Sequence, residues 1–118
     1  MIDLIKKQSD LQITINEQMR GGEGSVIIKH LLDSEGLYDK GRLCAHVIIK
    51  QGCSIGYHVH EGEMETYYVI KGTALYNDNG ETVELHAGDV TYTPDGSGHA
   101  IANNNAEDLE LLALIIYR

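Results

Sequence analysis

At 118 residues the chain has room for one domain with a real apolar core and none for a second. Its formal charge of −9 lacks the Lys/Arg surface that a phosphate backbone demands, which excludes nucleic acid as a partner and disfavours an anionic membrane. No apolar run is long enough for a signal peptide near the start or for a bilayer span later, so no membrane partner and a cytoplasmic location are expected.

Residues 1–24 read as an N-terminal arm. A short helix is predicted over Ile2 to Gln8, and Leu11 to Asn16 alternates with period two, as an edge strand does. The stretch Arg20-Gly-Gly-Glu-Gly24 reads as a flexible hinge, and no Lys-Ser/Thr follows it to make a phosphate loop. Residues 25–118 read as the barrel domain. Ser25 to Leu32 is a β-branched run, Asp33 to Lys40 a polar turn, and Arg42 to Lys50 a further strand that closes at Gln51-Gly52.

From there Gly62, Gly72, Asn79-Gly80, Gly88 and Pro94-Asp-Gly96 separate short runs at the intervals of an all-β sandwich or barrel. Asn79-Gly80, between Thr73 to Asn77 and Glu81 to Leu85, is the strongest tight-hairpin signal. Asn103 to Asp108 reads as a polar loop. Leu109 to Tyr117 is apolar at nearly every position, so both of its faces should be covered. Val26-Ile-Ile28 and Val47-Ile-Ile49 repeat that pattern. One barrel interior cannot cover all these faces, and a homodimer is expected to cover the rest, with the exchange of the Leu11–Asn16 strand between subunits left open.

The chemistry gathers between Gly52 and Gly72. His58 and His60 are two residues apart, so on a strand both imidazoles leave one face. Glu61 to Met64 reads as a hairpin connection that returns Glu65 roughly opposite His60. His99 follows the turn Pro94-Asp-Gly96-Ser-Gly and enters the same region. An isolated His-x-His in a β-protein is usually incidental. Three imidazoles and a carboxylate at compatible spacing suit one first-row divalent ion instead.

These residues carry a family resemblance. Gly52-x5-His58-x-His60-x4-Glu65-x6-Gly72 resembles the first signature motif of the cupins at every spaced position, and Gly88-x5-Pro94-x-Gly96-x2-His99-x3-Asn103 resembles the second. The resemblance implies an all-β fold, the cupin jelly-roll β-barrel or double-stranded β-helix. It also implies a divalent metal held by His58, His60, Glu65 and His99, with Mn, Fe, Co, Ni and Zn not distinguished by the ligands. It does not imply one reaction, since cupins include decarboxylases, dioxygenases, isomerases and non-catalytic binders.

Around that set, Tyr67 shares the inward face of Glu65 and is the candidate to orient a ligand or donate a proton. His46 becomes a general acid/base candidate if its strand turns it inward. Glu61 and Glu63 lie close enough in the chain to act as bases. His30 and His86 read as structural or solvated, and Cys44 and Cys53 as reduced thiols, with Cys53 a poor fit to the harder ligand set. A divalent ion with one carboxylate keeps a formal charge of +1, which favours a small anionic or sugar-like oxygen donor. The expected function is therefore a metal-dependent enzyme acting on a small carboxylate, keto acid or sugar-derived substrate, or else a binding module on the same barrel.

Overall fold

The structure, a computed structural model, describes residues 4–118. Among them are ten strands: β1 (Gln12–Glu17), β2 (Ser25–Leu32), β3 (Gly41–Ile49), β4 (Ser54–Val59), β5 (Glu63–Lys71), β6 (Thr73–Asp78), β7 (Glu81–His86), β8 (Val90–Thr93), β9 (Gly98–Ala102) and β10 (Leu109–Tyr117). They form two antiparallel sheets. One has six strands in the order β1-β2-β3-β10-β5-β8, and the other has four in the order β4-β9-β6-β7. The sheets enclose a common interior as a jelly roll, with Val26, Val47, Ile49, Val69, Ile101, Leu109 and Leu111 buried between them.

The β6–β7 hairpin forms at Asn79-Gly80, where both residues take positive φ, 51° and 102°, the geometry that matches the twist of flanking strands. Asn77 Oδ1 accepts the Gly80 amide at 2.7 Å and closes the turn. The loop after β9 is built on Asn103, a buried side chain whose Nδ2 donates to the carbonyls of Ile49 and Glu107, both at 2.9 Å. It ties the loop to the end of β3.

The helix expected over Ile2 to Gln8 does not form in the described part. Leu4 to Lys7 have no regular structure, a single 3-10 turn occupies Gln8–Asp10, and Ile2 and Asp3 lie outside the described residues. Leu4 and Ile5 are exposed, so these residues have no packed face to stabilise a helical nucleus. The expected hinge at Arg20 to Gly24 is likewise pinned. The Gln18 amide donates to the Gly24 carbonyl at 2.7 Å and the Ser54 amide to the Glu23 carbonyl at 2.9 Å. The glycines there serve close approach, because a Cβ on Gly22 would collide with the Ser54 carbonyl, and one on Gly56 with that of Arg20.

β10 is central, between β3 and β5. Its Leu109, Leu111, Ala113 and Ile115 are buried in the interior, while Leu112 and Leu114 take the opposite face. Register sets their neighbours: Leu112 lies beside His46 and Tyr68, and Leu114 beside Cys44 and Thr66. The outer face continues as Ile15, Ile27 and Ile48 on one side and as Val90 and Tyr92 on the other, with Ile15, Tyr68, Val90 and Tyr92 exposed.

Candidate metal centre

His58 lies opposite His99 in the β4–β9 ladder. His60 falls one residue past the end of β4, where its amide donates to the Ser97 carbonyl at 3.0 Å and its carbonyl accepts from Gly96 at 2.7 Å, so it stays in line with His58. Glu65 comes from the other sheet, on β5, between Thr93 and Ile115. The expected hairpin between His60 and Glu65 is therefore absent, since β4 and β5 belong to different sheets. Glu61 and Gly62 carry the chain from one layer to the other, and the four side chains meet across the interior.

One donor atom from each of His58, His60, Glu65 and His99 lies within 4.8 Å of all the others. Glu65 Oε1 is 3.0 Å from His60 Nε2, 2.9 Å from His99 Nε2 and 4.0 Å from His58 Nε2. The two ring nitrogens of His60 and His99 approach to 3.1 Å. Each imidazole is held from behind. His58 Nδ1 donates to the Gly56 carbonyl at 2.8 Å and His60 Nδ1 to Glu63 Oε2 at 2.6 Å, while His99 Nδ1 meets the Tyr76 hydroxyl at 2.8 Å and Thr93 Oγ1 at 3.0 Å. With the Nδ1 side so occupied, the Nε2 lone pairs of all three rings point at one spot beside a carboxylate. Acceptors so placed repel one another unless a proton or cation lies between them, and three imidazoles with one carboxylate fit a divalent first-row ion.

Glu63 supports this set from outside. It is buried, and besides His60 it takes Arg42 in a two-point ion pair, Nε to Oε1 at 2.7 Å and Nη2 to Oε2 at 2.8 Å. The hydrogen bond from Arg42, ahead of that from His60, holds its pKa down to about 2. Glu63 is thus an anion with both oxygens engaged behind His60. Burial lowers the pKa of His58 and keeps that ring neutral. The hydrogen bond to Glu65 raises that of His60, so a proton competes there with a metal.

Beside the four donors lies a cavity of about 240 Å³, smaller than the ~300–1,000 Å³ of drug-sized sites. Tyr67 lines it, with its ring stacked on His99 at 5.0 Å and 13°. Burial first, and then the Glu65 charge, push its phenol well above 10, so it is a neutral hydrogen-bond donor. The other candidates lie elsewhere. His46 is on the outer face, with Nε2 2.7 Å from Glu110, and Glu61 is exposed in the crossing between sheets.

The N-terminal segment also supplies part of the cavity wall, through Thr14, Asn16, Met19 and Arg20, and His30 of β2 and Arg42 of β3 line it too. His30, read as structural or solvated, holds Thr14 Oγ1 at 2.9 Å and faces this cavity. A signal for this wall was present in β1. Thr14 and Asn16 alternate with Ile13 and Ile15, and it is the isoleucines that are exposed. A strand that turns its polar residues inward is lining something polar.

Fold and site together define a cupin. The cupin-domain family pattern matches residues 45–116, and the chain belongs to that family. Over 113 residues it is 42% identical to a protein of Thermotoga maritima named oxalate-binding protein, a match that covers 96% of this chain and 93% of the relative. It also resembles a crystal structure from Thermotoga maritima described as a predicted oxalate decarboxylase, with 41% identity, a TM-score of 0.93 and 98% and 100% of the two chains covered. The TT1209 structure from Thermus thermophilus, at 23% identity, TM-score 0.72 and 97% coverage of each chain, shares the fold.

Proposed function

We propose that His58, His60, Glu65 and His99 hold one divalent metal ion, and that the protein uses it to take up a small carboxylate, with oxalate the first candidate. The observation that carries this reading is the convergence of three Nε2 atoms and a carboxylate oxygen within 4.8 Å beside a small, partly polar cavity. A divalent ion bound there supplies a Lewis-acid centre of net charge +1 for an oxygen donor. The names of the relatives support oxalate over a neutral sugar. Tyr67 offers a fixed donor to the bound acid, and Glu63 keeps His60 oriented.

Turnover is the second reading, with the protein a decarboxylase or another metal-dependent enzyme on the same acid. Tyr67 favours it as a protic group inside the cavity. Incubating the metal-loaded protein with oxalate and following heat of binding and product separates the two. Binding without product leaves a binding module, formate or carbon dioxide identifies an enzyme, and neither binding nor product refutes the assignment.

The proposed assembly is a homodimer that buries the outer face of the six-stranded sheet. Leu112, Leu114, Ile27, Ile48 and Tyr68 give that face an apolar centre, with the His46–Glu110 pair among them.

A further inference from the structure

Of the two arginines lining the metal-site cavity, Arg42 is bound at two points to Glu63, while the Arg20 guanidinium makes no hydrogen bond or ion pair among the described residues. Arg20 is exposed, so water solvates it when no ligand is bound. Its position is built by the backbone. Arg20 sits in a 3-10 turn, Met19–Gly21, with φ 55° and ψ 31°, a left-handed conformation that a non-glycine residue adopts only at an energetic cost. The turn is locked against β4, where Gly22 and Gly56 let the two backbones approach more closely than any side chain would allow.

Resting on the metal-dependent carboxylate reading above, we propose that Arg20 is the specificity-determining residue that selects a dicarboxylate over a monocarboxylate, by receiving the ligand's second charge at the cavity wall. The charges support this. Glu65 reduces a divalent ion to +1, Arg42 and Glu63 cancel, and Arg20 brings the total at the cavity to +2, which a small dianion balances and a monoanion does not. The planar guanidinium also suits two carboxylate oxygens at once, as a two-point partner for a carboxylate. In a cavity of about 240 Å³ lined by His58, His60 and Glu65 as well as Arg20, a two-carbon diacid meets the size limit better than a long one.

The test compares wild-type, Arg20→Gln and Arg20→Lys proteins, each loaded with metal, in calorimetric titrations with oxalate and with acetate, and with metal content measured for every sample. Arg20→Gln should weaken oxalate roughly ten- to hundredfold while changing acetate only a few-fold and leaving metal content intact, and Arg20→Lys should recover part of the loss. Unchanged oxalate affinity in Arg20→Gln overturns the inference and leaves the metal-carboxylate reading standing. Equal losses for oxalate and acetate, or loss of metal, also overturn it, because they assign Arg20 a general structural role. A wild-type protein that is fully metallated and binds neither acid overturns the underlying reading and this inference with it.

Discussion

Glu63 reaches the four donors through His60: its Oε2 lies 2.6 Å from His60 Nδ1, on the side of the ring away from Glu65. Such a contact fixes the tautomer and aims Nε2 inward, and losing a partner of this kind typically weakens metal affinity ~10–100-fold. Glu63→Gln should therefore bind metal more weakly, by about that factor in a chelator competition, with all four donor residues still in place. A variant that retains wild-type affinity would reduce the Arg42–Glu63 pair to a purely structural role.

The same carboxylate sets an acid limit. Its pKa is lowered from 4.5 to about 2, so Glu63 is ionised in the fold wherever it would be ionised unfolded, and below 4.5 the unfolded chain binds the extra proton first. The stability it contributes is fully present above about 4.5 and is lost as pH falls towards 2. In acid titration Glu63→Gln should lose less stability than wild type over that window. Identical profiles would show that the pair does not form in solution.

His60→Ala removes one of the four donors and leaves Glu63 without its imidazole. Stoichiometric metal should disappear on elemental analysis, and wild-type protein treated with chelator should unfold at lower temperature. With free metal about a hundredfold above its Kd the linkage contributes about 2.7 kcal/mol, or roughly 10 °C in a domain this small. Full metal occupancy in the variant would refute the ligand assignment.

Tyr67→Phe keeps the ring stacked on His99 and deletes only the hydroxyl. Metal content should be unchanged and oxalate binding weaker by about 0.5–1.5 kcal/mol, the net worth of one hydrogen bond. Equal binding would leave Tyr67 as packing alone.

Sedimentation at micromolar concentration should show a dimer, and Leu114→Glu, which sets a charge in the middle of the outer face, should shift it towards monomer. A compact 13.0 kDa species for the parent would defeat the proposed assembly.

The strands were legible because their signals are local. Asn79-Gly80 encloses a hairpin, Leu109 to Tyr117 is a central strand, and the inward set Glu65, Tyr67 and Val69 follows from alternation on β5. The grouping of His58, His60, Glu65 and His99 was legible for the same reason, as two short motifs of fixed spacing. What spacing could not show is the route by which they meet. The chain between His60 and Glu65 looks like a hairpin in sequence, but a hairpin would keep Glu65 in the histidines' own sheet, whereas crossing at Glu61-Gly62 sets it in the opposite one. Only closure of the two layers decides that, through pairings such as Glu65 with Thr93 and His58 with His99. The roles of Glu63, Arg42, His30 and Arg20 were hidden for a related reason. The Arg42–Glu63 and Thr14–His30 pairs join residues 21 and 16 apart, Arg20 is set by a close backbone contact with Gly56, and Glu63 reaches His60 only because the crossing between sheets replaces a hairpin, none of which leaves a periodic mark on the chain. Local sequence thus determined the strands, the inward set on β5 and the four donors, and long-range packing determined the face His46 takes and what each inward residue meets.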